Sequence, residues 1–130
     1  MDEFVPDTHA LYWYLSANPQ LSGGARRCFD TARRGEARLL VPSIVLAELY
    51  YLNAKLGTPL DFGSEFARLS AAPQVVFVPF DAKDVLGFDA LQVVPEMHDR
   101  IIAGVALSRG CPCITRDAAI VAAGIVQTIW

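Results

Sequence analysis

Four acidic residues stand where elements of a fold would bring them to one place. Asp7 directly follows the apolar stretch Phe4-Val5-Pro6, and Asp117 lies two residues after Thr115, which ends Cys113-Ile114-Thr115. Asp99 opens a run with helical character. In open α/β sheets ligands bind beyond the carboxyl ends of the strands, so chain geometry directs these three acids to one rim. Glu48 joins them on different grounds. It lies beside a stripe of apolar residues, three after Val45 and four before Leu52, where an unpaired carboxylate is costly. Either Lys55, two turns on, or a metal ion shared with other carboxylates would meet its charge.

Singly, each acid has a simpler use. Asp7, Asp99 and Asp117 would cap or charge helix N-termini, where an acid is favourable by roughly 0.3–1 kcal/mol, and Glu48 would sit on the surface or pair with Lys55. As a set they repel one another unless a cation intervenes, and oxygen ligands of this kind suit Mg²⁺ or Mn²⁺. One or two such ions can activate water, polarise a phosphoryl group and steady a leaving oxygen. Phosphodiester hydrolysis fits, although other metal-assisted hydrolyses remain open. The chain has no glycine-rich phosphate loop, no Gly-x-Ser-x-Gly elbow and no His-Glu-x-x-His helix.

The positioning elements alternate between strand and helix. Phe4-Val5-Pro6, Arg38 to Val41, Val75 to Val78, Cys113 to Thr115 and Val126 to Trp130 read as short strands. Helices are expected from Thr8 to Leu15, from Ser22 to Arg34 before Gly35, and from a capping Ser43 to Gly57. Val45, Leu49, Leu52 and Leu56 would form one buried stripe on the last of these. Further helices are expected around Ser64 to Leu69, over Asp81 to Leu91 despite Gly87, from His98 to Ser108, and briefly from Asp117. Alternation of this kind predicts an α/β layer fold with a mainly parallel sheet.

At 130 residues, with 53% hydrophobic and 19% charged residues, the chain describes a single well-packed domain. So apolar a composition points to some surface buried against a partner. A net charge of −3 argues against nonspecific coating of nucleic acid. No secretory signal or membrane-spanning run is evident, so a soluble, cytoplasmic protein is expected. Three cysteines make neither a disulfide framework nor a zinc site; Cys111 and Cys113 read as small apolar residues on one strand face.

Asp7-Thr8-His9-Ala10-Leu11-Tyr12-Trp13-Tyr14-Leu15 resembles the opening signature of PIN-domain toxins, the toxin half of VapBC-type pairs. Ser43-Ile44-Val45-Leu46-Ala47-Glu48-Leu49 is similar to the second motif of that family, His98-Asp99-Arg100-Ile101-Ile102-Ala103 to the third, and Thr115-Arg116-Asp117-Ala118-Ala119-Ile120 to the fourth. Ile129-Trp130 matches a familiar ending, and the resemblance runs through essentially the whole chain. It implies a three-layer α/β/α domain over residues 1–130 with a five-stranded parallel sheet. It makes Asp7, Glu48, Asp99 and Asp117 the catalytic, metal-holding acids. Thr115 becomes an accessory hydroxyl that binds a metal-held water or orients Asp117. It further implies a Mg²⁺- or Mn²⁺-dependent endoribonuclease, an RNA substrate, a cognate VapB-like antitoxin and a homodimer. Rival readings are a PIN nuclease of RNA processing without an antitoxin, and a noncatalytic interaction module. Two departures touch no acid: Pro6 puts the sheet hydrogen bonding before Asp7 in doubt, and Gly104 stands inside a helix at a cost of about 1 kcal/mol.

Basic and aromatic residues complete the reading. Arg100 and Arg116 adjoin site acids and are candidate phosphate contacts, whereas Arg26, Arg27, Arg33 and Arg34 form a solvated helix face. His9 reads as a helix-face residue near the site and His98 as a structural neighbour of Asp99. Tyr12, Trp13, Tyr50 and Tyr51 read as core or interface residues before base-stacking ones.

Overall fold

A computed structural model describes all residues, 1–130. The elements in chain order are β1 (Asp2–Pro6), α1 (Thr8–Leu15), α2 (Gly23–Arg33), β2 (Ala37–Pro42), α3 (Ser43–Lys55), α4 (Phe62–Ala71), β3 (Val75–Val78), a 3-10 segment (Ala82–Leu91), α5 (Met97–Arg109), β4 (Cys113–Ile114), α6 (Ala118–Ala123) and β5 (Thr128–Ile129). The strands form one sheet in the order β3-β2-β1-β4-β5, every pair parallel. Both faces of this sheet are covered. Leu39, Leu40 and Val41 are consecutive and all buried, which an alternating strand achieves only between two helical layers. Helix α2 packs on β2, and α5 packs on β1 and β2, giving the three-layer α/β/α arrangement expected. Phe29, Leu11, Leu40 and Ile114 are among the largest fully buried side chains. Each such side chain contributes about 1.5–3 kcal/mol by leaving water.

The order places β1 at the centre, so the residue that follows it projects from the middle of the sheet edge. Pro6 is compatible with this position. The backbone N–H groups of Val5 and Asp7 donate to the carbonyls of Pro112 and Ile114 on the β4 side, at 3.0 Å each. Alternation turns the nitrogens of Phe4 and Pro6 toward β2, and pairing with β2 ends at Phe4 opposite Leu39. The donor that proline lacks is therefore one the ladder does not use.

Several local expectations are corrected. Ser43 does not cap α3; it is the first helical residue, and its hydroxyl donates to the Val78 carbonyl instead. The buried stripe of α3 stops short, because Leu56 is 56% exposed while Asn53 is buried. Asn53 bonds both backbone groups of Leu60, so it locks the turn after α3. The stretch from Ala82 to Leu91 is 3-10 rather than α-helix and buries only Leu91. Gly104 faces that segment: a Cβ there would stand 3.2 Å from Leu91 Cδ1. Tyr12 and Trp13 are in the core, but Tyr50 and Tyr51 are exposed, in a ring series with Phe62, Phe66 and Phe77. No helix is long and apolar enough to cross a membrane.

Candidate functional site

Asp7 occupies the junction between β1 and α1, and both its carboxylate oxygens are engaged. Oδ1 accepts the Ala10 N–H at 2.8 Å as the N-cap of α1, and Oδ2 accepts the Thr115 hydroxyl. Thr115 is 1% exposed at the end of β4, and its oxygen also accepts the Asp117 N–H at 2.9 Å. Asp117 in turn caps α6, with Oδ1 receiving the N–H groups of Ala119 and Ile120. A single hydroxyl thus ties the carboxyl ends of neighbouring strands together and links two of the acids. Of Asp117 it holds the backbone N–H, while the carboxylate it donates to is that of Asp7.

Glu48 and Asp99 approach from the helical layer. Glu48, on α3, accepts the Thr8 hydroxyl through Oε1 at 2.7 Å, and its Oε2 lies 3.5 Å from His98 Nδ1. Its partners are therefore Thr8 and His98; Lys55, the alternative along the helix, makes no ion pair with it. Asp99 lies in the first turn of α5, where its N–H bonds to Glu96, the residue that caps the helix. No hydrogen bond reaches the Asp99 carboxylate itself.

The electrostatics record how the four acids act on one another. Desolvation raises Asp99 to about 6, helped by the charges of Asp117, Glu96, Glu48 and Asp7. Burial also raises Asp7, with Asp117 adding to the effect, while the bonds from Thr115 and Ala10 and the nearby His9 pull the other way. Glu96 moves in the opposite direction. Despite some desolvation, the N–H groups of His98 and Asp99 and the His98 ring hold it below the usual carboxylate range. Cys113, sealed beneath the site, has its thiol pushed far up, first by burial and then by Asp7, so it takes no part as a nucleophile.

Two residues of this neighbourhood escape sequence reasoning. Glu96 is a fifth acid in the field of Asp99, but glutamate is not a usual N-cap and carries no capping signal. Thr8 follows Asp7 directly, and nothing in the spacing says that its hydroxyl turns to Glu48, forty positions away. Of the two candidate phosphate contacts, Arg100 commits its guanidinium to the carbonyls of Val94 and Gln92, bracing the loop before α5. Arg116 remains exposed and lies over the Trp13 and Trp130 rings.

The donor set suits a hard divalent cation in kind: four carboxylates, none of them in an ion pair with a lysine or arginine. In position it is more open. As the side chains lie, no three of the histidine, cysteine and acidic residues stand within common reach of one ion. The oxygens that are tied by hydrogen bonds belong to Asp7, Asp117 and Glu48, so closure would have to come largely from Asp99.

A family model, that of the PIN domain, matches residues 4–125. The chain belongs to the PIN-domain family. Among solved structures, this PIN domain is similar to a chain of VapBC2 from Rickettsia felis bound to a DNA fragment from their promoter. The TM-score is 0.68 at 16% identity, over 97% of this chain and 96% of that one. It is also similar to a chain of FitAB bound to an IR36 DNA fragment, with a TM-score of 0.60 at 17% identity over 96% and 92% of the two chains. At these identities the likeness is one of fold. Among curated proteins no sequence matches the chain.

Proposed function

We propose that this PIN domain is a divalent-cation-dependent endoribonuclease, and that it is the toxin of a VapBC-type pair. The observation that carries the catalytic part is geometric: the Thr115 hydroxyl ties Asp7 to Asp117 at the carboxyl ends of neighbouring strands, and the Asp99 carboxylate accepts no protein donor. Helix capping accounts for Asp7 and Asp117, but not for Glu48 and the donor-free Asp99 beside them, whose charges a shared cation would relieve. Asp7, Glu48, Asp99 and Asp117 would hold Mg²⁺ or Mn²⁺. The bound ion would supply Lewis acidity to the phosphoryl group and lower the pKa of a water. The chain's own contribution is placement. Thr115 fixes Asp7 and the backbone of Asp117, Thr8 fixes one oxygen of Glu48, and Asp99 keeps both oxygens free of protein donors.

The pairing with an antitoxin draws support from the two similar structures, both complexes named for two components and bound to DNA. A VapB-like antitoxin and a second copy of the chain would cover apolar surface, of which Tyr51, Leu86 and Val93 are the most exposed side chains alongside Met1. Such an enzyme would meet its RNA in the cytoplasm. One observation favours a second reading, a noncatalytic interaction module: the acids do not close around one point. The two part on a direct experiment. Purified protein should cleave RNA with Mn²⁺ or Mg²⁺ and not with chelator present, and Asp99→Asn should lose that activity while melting normally. Absence of Mn²⁺ binding in calorimetry, together with no divalent-dependent cleavage by the purified parent, would favour the interaction module instead.

A further inference from the structure

Arg116 is immediately next to Asp117 and Thr115, in a neighbourhood of carboxylates, yet it forms no ion pair. Its guanidinium carbon sits 4.6 Å from the centre of the Trp13 ring and 5.6 Å from that of Trp130. The two indoles meet edge to face, with centroids 5.8 Å apart and planes at 68°. One terminal nitrogen donates to Gln20 Oε1 at 3.1 Å, and the remaining donors have no protein partner. Trp130 is itself fixed by the fold. Its backbone carbonyl lies against the start of α2, where a Cβ on Gly24 would stand 2.5 Å from that oxygen, so only glycine admits the approach.

This arrangement has two consequences. The acids keep their charge for a cation, because the nearest arginine is held elsewhere. The guanidinium keeps its donors for an anion, because the indole faces and one amide oxygen hold it without consuming them. A ligand that brings an anion to the rim of a cation site is a phosphodiester. We infer that Arg116 is a phosphate-binding arm for an RNA strand entering the site, with Trp13, Trp130 and Gln20 as its positioning residues. The inference rests on the ribonuclease reading above and adds to it a named substrate contact.

Salt dependence tests it. In an Asp99→Asn parent, which blocks cleavage, affinity for a labelled single-stranded RNA is measured by anisotropy against salt concentration, beside a DNA strand of the same sequence. Arg116→Gln should weaken RNA binding about tenfold and reduce the slope of log K on log salt by about 0.7, one phosphate contact on a single strand. Arg116→Lys should restore the slope but not the affinity, since an ammonium neither stacks nor forks. Trp130→Leu should weaken binding about threefold at an unchanged slope, and Trp130→Phe should recover it. An Arg116→Gln slope equal to the parent's overturns the contact, and Trp130→Leu binding like the parent overturns the positioning role. A parent that binds neither strand removes the RNA reading and this inference together. Binding of the DNA strand alone removes the RNA reading only, and the Arg116 slopes on DNA then decide the contact.

Discussion

The two sides of the acidic site are built differently. On the sheet side, Asp7 and Asp117 grow from strand ends, cap the helices that follow, and share the Thr115 hydroxyl. On the helical side, Glu48 leans on one hydroxyl and a histidine, and Asp99 has no donor at all. The difference teaches where the site concentrates its electrostatic cost. Sheet-side carboxylates accept N–H and O–H donors, which for Asp7 offset part of the desolvation that raises it. Asp99 has no such donor, and desolvation, followed by the charges of Asp117, Glu96, Glu48 and Asp7, raises it to about 6. Asp7 thus caps a helix with its carboxylate, whereas Asp99 leaves its own unused by the protein.

Activity gives the largest contrast between the sides only if catalysis belongs to one of them. If it belongs to the set, Asp7→Asn and Asp99→Asn should each lower divalent-dependent RNA cleavage by roughly 10³-fold, the loss of several kcal/mol of charge stabilisation. Asparagine is chosen because it still caps a helix, so Asp7→Asn leaves α1 with its N-cap. Single-turnover cleavage at saturating Mn²⁺ is the measurement. A tenfold or smaller loss in both variants would mean that neither side does the chemistry.

Stability separates the sides where activity does not. Asp7→Ala removes the α1 cap, about 1 kcal/mol, and leaves the buried Thr115 hydroxyl without its acceptor, about 1–3 kcal/mol. Relief of a desolvated carboxylate offsets part of this, so a net loss of about 2 kcal/mol is expected by urea unfolding with the metal chelated. Asp99→Ala, by contrast, leaves no donor unpaired and should not destabilise. Equal losses in the two variants would dissolve the comparison.

The pH dependence sharpens it further. Asp99 in the folded chain titrates near 6, against 3.8 unfolded, so its carboxyl supports the fold while protonated. That support is complete below pH about 4 and is lost as pH rises through about 6. Because the side chain is only partly buried, screening limits the effect to roughly 1 kcal/mol. Without divalent ions, stability should fall between those pH values in the parent, whereas Asp99→Asn should be flatter and more stable at neutral pH. Mn²⁺ should cancel the difference by raising the melting temperature of the parent alone. Parallel stability curves would show that the neighbouring acids do not burden Asp99.

The same division marks what can be read without coordinates. Strand ends are visible in the sequence because apolar runs stop at Pro6 and Thr115, and parallel topology then sends Asp7 and Asp117 to one edge. The alternation of elements likewise points to the layered fold, since each β-branched run is short and followed by helical periodicity. What lies on the helical side depends on tertiary contacts that periodicity does not encode. The apolar pattern of α3 continues to Leu56, but the helix outruns the layer it packs on, and the side chain emerges into water. Ser43 has the right residue type for a cap, yet Pro42 already occupies that position and the hydroxyl turns to β3. Along its own helix Glu48 meets only Lys55 as a candidate partner, whereas Thr8 and His98 reach it from α1 and α5.

The finest test compares the two hydroxyls that serve the acids. Thr115 is enclosed, donating to Asp7 and accepting from the Asp117 backbone, so Thr115→Val leaves an N–H and a carboxylate oxygen short of partners at a buried position. Thr8 donates to one oxygen of Glu48, whose carboxylate is partly exposed and can turn to water. Valine matches threonine in shape, so packing changes little in either case. Thr8→Val should therefore cost only about 0.5–1 kcal/mol, the net value of one ordinary hydrogen bond, with a cleavage loss smaller than that of Thr115→Val. The ranking matters more than either number. If Thr8→Val proves the more damaging to cleavage, Glu48 rather than Asp7 is the acid whose orientation limits the reaction, and the helical side is the one that must be held in place.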